Sequence, residues 1–192
     1  MEHFDAFKRV NPNKGDLLIS EPYLSDPNFE RSVILLCEHD VNGSIGFVLN
    51  RLSELSLAEV IEDAPDDEIP LFIGGPVQQD TLHFVHCSPH LMEEGREIAR
   101  GIYWGGDFEK LMELMSAGLV TADEVRFFIG YSGWGAGQLS EELDANSWIV
   151  NKKTAPQYIF EYSHEELWRQ VLKDMGGKFR AFSNFPADPR LN

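Results

Sequence analysis

Residues 126–143 read RFFIGYSGWGAGQLSEEL, an apolar run that enters a patch with glycines at 130, 133, 135 and 137 and leaves toward an acidic, helix-forming segment. A strand–glycine–helix layout serves two chemistries: a backbone cradle for phosphate at a helix N-terminus, or a sharp elbow that exposes a nucleophilic serine. The cradle fails on spacing. After Gly133 and Gly135 the dinucleotide pattern needs a glycine at 138, where Gln138 stands, and no glycine-lysine-hydroxyl ending follows. Glu141, Glu142 and Asp144 also place negative charge in the first turns of the helix, where it repels phosphate. The elbow fails on size, because Gly130-Tyr131-Ser132-Gly133-Trp134 carries tryptophan where a small residue keeps the turn open. The expectation is therefore structural: glycines that permit close backbone approach, Tyr131 and Trp134 packed nearby, and Gln138 bridging backbone groups.

A second constellation concerns thiols and imidazoles. Cys37 and His39 stand two apart in a strand-like run, and His83 and Cys87 four apart in another with Val85 between them, so each pair shares a face if the strand alternates regularly, while His86 points the other way. Were the two strands neighbours, two sulfurs and two nitrogens would meet, the donor set of a zinc site. The spacing is not the tight C-x2-C of such sites, and the expectation is no metal, with buried thiols and strand-end histidines instead. His39 and His86 remain the choices for acid–base work in a cleft, because imidazole titrates near neutrality.

The elements that must position these residues are readable in part. Strand-like runs cover 16–20, 31–39 and 44–51, the last two joined at the turn-forming pair Asn42-Gly43. A helix is expected over 56–64 behind Ser56, with strands on either side of Gly75-Pro76 and one strand over REIARGIYW ending at Gly105-Gly106. Asp107 caps a helix that carries Phe108, Leu111, Met112 and Met115 inward and stops at Gly118. SWIVNK and QYIFEY read as further strands. Ser163-His164-Glu165-Glu166 opens a helix with Leu167, Trp168, Val171, Leu172 and Met175 inside, and Phe179, Phe182 and Phe185 mark a docked tail. Residues 1–14 read as an arm with Phe4 and Phe7 as anchors, and 15–192 as one domain. The fold class expected is α+β, an α/β sandwich on a mixed, mostly antiparallel sheet with flanking helices.

Composition narrows the partners. Thirty-two Asp and Glu against sixteen Lys and Arg give a formal charge of −16. Duplex binding draws its affinity from cations that displace counterions, so direct contact with nucleic acid or an anionic membrane is disfavoured. No apolar run approaches a bilayer span and no leader pattern opens the chain, so a cytoplasmic setting with reduced Cys37 and Cys87 is expected.

Taken in order, GDLLISEPYLSDPNFERSVILLCEHDVNGSIGFVLNR, IGGPVQQDTLHFVH, GIYWGGDFEKL and FFIGYSGWGAGQLSEEL followed by SW resemble the AlgH/YqgE family of small bacterial proteins. The resemblance implies a single α+β domain in the cytoplasm and a label of transcriptional regulator, with no catalytic residues to carry over. Family members commonly have alanine at the position of Ser132, which weakens a serine nucleophile further.

Two functions follow as expectations. The leading one is a non-enzymatic regulatory protein that contacts another protein or a small ligand, with Trp104 and Trp134 as partner contacts. It needs no cofactor, and its oligomeric state stays open. The alternative is a ligand-binding protein or enzyme whose cleft is lined by Gly74, Gly75, Gly130, Ser132, Trp134 and Gln138, with Asn50 and the histidines His39 and His86 beside them.

Overall fold

Alternation along paired strands sorts side chains onto two faces, and here that sorting creates three apolar clusters. The computed structural model describes residues 9–66, 68–91, 93 and 95–186. Its strands are β1 (Leu17–Ser20), β2 (Val33–Asp40), β3 (Gly43–Val48), β4 (Leu52–Ser56), β5 (Pro70–Ile73), β6 (Val77–His86), β7 (Arg96–Ala99), β8 (Ile102–Trp104), β9 (Val125–Gly135) and β10 (Trp148–Asn151). The helices are α1 (Phe108–Ser116), α2 (Gln138–Asp144), α3 (Pro156–Phe160), α4 (Leu167–Met175) and α5 (Gly177–Phe182). Strand order is β10-β1-β2-β3-β9-β6-β8-β7, with β5 also on β9 and β4 on β5. Every pairing is antiparallel except β5 with β9, so the architecture is the α+β fold expected, on a mixed and mostly antiparallel sheet.

Strand β9 is the spine. Its first part pairs with β6 on one side and β5 on the other, and its last four residues pair with β3. Leu17, Ile19, Val33, Leu35, Phe47 and Leu49 point to a central core shared with Phe72, Val85 and Phe128 and closed by Trp168, Val171 and Leu172 of α4. Leu18, Ile34, Leu36 and Val48 point the other way, beneath Leu139 and Leu143 of α2. Leu71, Phe84 and Phe127 form the third layer, under Leu111 of α1. Fully burying one such side chain contributes about 1.5–3 kcal/mol.

Several elements differ from expectation. The hairpin turn is Val41-Asn42, one residue early, because Asp40 pairs with Gly43. Residues 52–56 form β4, and the expected helix shrinks to a 3-10 turn, Leu57–Glu59, in which the Glu59 carboxylate accepts from the Ser56 N–H. The REIARGIYW stretch is a hairpin, β7–β8, turning at Gly101 in the left-handed region (φ 74). QYIFEY is not a strand. Pro156 supplies a fixed φ at the helix start and lacks only an N–H that would go unused there, so α3 forms and buries Tyr158 and Ile159. Helix α4 starts at Leu167, with the Ser163 carbonyl taking the N–H groups of Glu166 and Leu167 in the preceding turn.

Asp107 caps α1 as expected, its side chain accepting from the Lys110 N–H. The phenylalanine-rich tail is docked: Phe182 is buried, and Arg31 donates to the carbonyls of Phe185 and Pro186. The anchors Phe4 and Phe7 and the chain beyond 186 lie outside the described residues. Within the expected arm, Arg9 bonds Asp144 and Ser140 of α2, and Lys14 donates to the Glu97 carbonyl.

Candidate functional site

The glycine patch is strand, not loop. Gly130, Gly133 and Gly135 lie within β9, and only Gly137 leaves it, in the left-handed conformation (φ 79) that starts α2. Gly130 also has a left-handed φ of 64. It interrupts the alternation, so that Phe128 and Tyr131 face the central core whereas Trp134 faces the layer under α2. This one residue lets a single strand serve both halves of the sheet.

The two glycine-rich segments do meet, but they fill the space between them. A Cβ on Gly74 would lie 2.5 Å from the Gly130 carbonyl oxygen, and one on Gly130 would lie 2.8 Å from the oxygens of Gly75 and Val77. Backbone packs on backbone, with no cleft between them. Ser132 is sealed within this crossing at 0% exposure, and its hydroxyl donates to the Gly74 carbonyl at 3.0 Å. That hydroxyl serves the packing, and among the described residues its bond is to a backbone carbonyl and not to a base.

The other residues singled out by sequence are dispersed. Asn50 bonds backbone on both sides, accepting from the Val33 N–H and donating to the Arg31 carbonyl, which is in the left-handed region (φ 47). Trp134 is largely buried; its indole N–H and that of Trp148 both donate to one oxygen of Glu142, at 2.9 and 2.7 Å. Gln138 accepts from the Gly135 N–H and donates to the Glu142 carboxylate, so it ties one backbone group to a side chain where a bridge between backbone groups was expected. His39 is exposed and bonds Ser44 at 2.7 Å. His86 is fully buried, stacked on Tyr103, with Nε2 on the Gly105 carbonyl and Nδ1 without a hydrogen-bond partner among the described residues. Burial lowers its pKa, partly offset by the backbone of Gly105 and Ser88.

His39 and His86 cannot act together. His86 registers with Val125, while Ser44, the register partner of His39, lies opposite Trp134. Nine residues of strand separate those points, about 30 Å. Nor do the thiols form a metal site. A bulge between Leu36 and Glu38 breaks the alternation, leaving Cys37 in the central core and His39 in solvent, and β3 and β9 stand between β2 and β6. Both cysteines are free, burial raises the pKa of each, and among the described residues no group of three or more metal-ligating side chains converges.

What the fold does build is a groove beside the β2–β3 hairpin. It encloses about 400 Å³ and is lined by Glu38, Asp40, Ser44, Ile45, Val77, Tyr131, Gly133 and Trp134 among others. The hairpin tip beside it exposes Val41 at 88%. Tyr131 leads into an aromatic group in which His83 lies 5.2 Å from Phe47, 6.2 Å from Trp104 and 6.1 Å from Tyr131, ring centre to ring centre. Arg96 lies over Trp104 and pairs with Glu38. Burial lowers the pKa of His83, whose Nε2 lies 3.1 Å from the Thr81 hydroxyl. Sequence reasoning missed Glu38, Ile45, Val77 and Tyr131 as one surface, since their proximity depends on strand register and on the reversal at Gly130.

Comparison with known proteins covers nearly the whole chain. A UPF0301 protein of Cytophaga hutchinsonii is 46% identical over 180 residues, 93% of this chain and 98% of its own length. One from Chlorobium limicola is 42% identical over 188 residues, covering 98% of this chain and 99% of its own. The solution structure of the AlgH protein from Pseudomonas aeruginosa matches with a TM-score of 0.72 at 30% identity, over 94% of this chain and 98% of that one. The crystal structure of protein DIP2367 from Corynebacterium diphtheriae gives 0.78 at 25% identity, over 95% and 97%. No helix among the described residues is long and apolar enough to cross a membrane. With residues 17–180 matching the family described as AlgH-like, DUF179, the chain belongs to the AlgH-like UPF0301 family.

Proposed function

We propose that this protein is a non-enzymatic cytoplasmic regulator that binds a segment of another protein in the groove beside the β2–β3 hairpin, without touching nucleic acid itself. The observation that carries the reading is the groove's lining, in which the Asp40 carboxylate and that of Glu38, itself paired with Arg96, stand beside the apolar Ile45, Val77 and the Tyr131 ring. That combination suits an extended segment in which Lys or Arg alternates with aliphatic residues, the charges giving specificity and the apolar contacts most of the affinity. The formal charge of −16 favours a basic partner and opposes a duplex. The burial of Ser132 and His86 argues against the nucleophile and the acid–base pair considered from sequence. Two peptides of equal apolar content and opposite charge test the proposal. The Lys/Arg peptide binds, the Asp/Glu peptide does not, and Asp40→Lys narrows or reverses the preference. Equal binding of both peptides would refute it.

A second reading, a small ligand beside Tyr131, draws on His83, which packs on that ring outside the groove's lining. Its half-buried imidazole beside Tyr131 and Thr81 is held toward the neutral form by burial and can accept a hydrogen bond. Retention of a small molecule by wild-type protein and its loss in His83→Phe would favour this reading over the first.

A further inference from the structure

Arg126 is a cation in an apolar setting with no counter-ion among the described residues. It stands on β9 opposite Val85, two residues before Phe128 on the same face, at the margin of the central core. Its guanidinium lies 4.3 Å from the centre of the Phe72 ring, and Nη1 donates to the Leu49 carbonyl at 3.1 Å. Leu49 is fully buried and Phe72 nearly so. Among the described residues no carboxylate pairs with Arg126, although the chain has twice as many acids as Lys and Arg. Burial alone pushes its pKa down to about 10, with no charged neighbour acting on it.

A guanidinium carries five N–H donors in a planar fork that matches an oxyanion two-on-two. In Arg126 one side of the fork is used by Leu49. Among the described residues neither Nε nor Nη2 has an acceptor, and neither is sealed from solvent. The buried Nε of Arg31 provides the contrast, since it is sealed off and Arg31 spends its Nη2 on the tail carbonyls. Beside Arg126, Phe72 offers a second neighbour, the half-buried His164, whose ring stands edge-on to it at 6.4 Å. A strongly polar group at an apolar margin, with a free fork still reachable from solvent and a ring holding its plane, has the chemistry of an oxyanion receptor.

We propose that Arg126, held on Phe72 and fixed by the Leu49 carbonyl, binds the carboxylate or phosphate group of a small molecule through Nε and Nη2. The site is distinct from the hairpin groove, in whose lining Arg126 takes no part.

The test follows the Arg126 Nε–H resonance of the intact, ¹⁵N-labelled protein while inorganic phosphate or sodium acetate is added at constant ionic strength, with sodium chloride as the control. A saturable shift with phosphate, acetate or both, absent with chloride, is expected, and the more effective anion identifies the source of the oxyanion. Arg126→Lys, which keeps the charge and loses the fork, weakens the response of neighbouring amides about tenfold. Phe72→Leu weakens it through loss of the ring. No saturable shift with either anion, or an equal response to chloride, overturns the proposal whether or not the variants fold, because the wild-type titration decides it.

Discussion

The α-carbon of Gly75 faces the Tyr131 peptide so closely that a Cβ built on it would lie 2.2 Å from both the carbonyl carbon and oxygen of Tyr131. This contact joins the β5–β6 connection to the spine strand and sets the position from which the Tyr131 ring reaches the groove. The neighbouring Gly130 adds a left-handed backbone to the same crossing. The glycines that looked like a ligand loop are the joint of the fold.

That joint should tolerate no side chain. Gly75→Ala and Gly130→Ala are each expected to cost roughly 3–5 kcal/mol, through backbone overlap and, at 130, a positive φ as well. Gly135→Ala, where a Cβ meets nothing within 4 Å, should change stability by about 0.5 kcal/mol or less. Urea unfolding of the three variants checks this, and equal losses at 75 and 135 would refute the account of the joint.

Ser132→Ala removes one hydrogen bond to a carbonyl that also accepts from the Val48 N–H, so Gly74 keeps a partner. The expected loss is about 1 kcal/mol, with peptide binding unchanged. Abolished function in a folded Ser132→Ala protein would revive a chemical role for the hydroxyl.

Glu142 gathers the indole N–H groups of Trp134 and Trp148 onto one oxygen and the Gln138 amide onto the other. Its replacement by Leu leaves two mostly buried donors without an acceptor, at about 1–3 kcal/mol, and alters the near-UV circular dichroism of the tryptophans. An unchanged spectrum and midpoint would show that the clamp contributes nothing.

Stability should fall on mild acidification. His86 has an ordinary pKa of 6.5 that burial lowers in the folded chain. Below 6.5 the unfolded chain therefore binds a proton that the folded chain refuses, so this contribution is complete above 6.5 and is lost as pH falls from there through the folded value. The slope for one such proton is at most about 1.4 kcal/mol per pH unit. His83, lowered by the same cause, adds in the same direction. Unfolding free energies of wild type and His86→Gln between pH 5 and 8 check this: the variant's slope is shallower, and identical slopes would contradict the assignment.

Local chemistry made part of the fold legible. Asn42 and Gly43 marked the first hairpin and Asp107 marked α1, because a turn and a cap each depend on a few adjacent residues. QYIFEY was misread because aromatic, β-branched stretches suit strands in general, whereas Pro156 and the burial of Tyr158 and Ile159 decide for a helix here. The groove was less accessible still. Glu38 and Tyr131 are 93 positions apart, and they line the same space only because β3 lies between β2 and β9 and Gly130 reverses the alternation. Cys37 with His39 misled for the converse reason, since a single bulged residue separates two side chains that regular alternation would pair.

The most direct measurement is an amide-shift titration of the labelled protein with the Lys/Arg-and-aliphatic peptide. The account predicts saturable shifts concentrated at Glu38, Ser44, Ile45, Tyr131 and Gly133, weakened by added salt and by Asp40→Lys. Binding that maps elsewhere on the sheet, or no binding while a duplex does shift these amides, would contradict it.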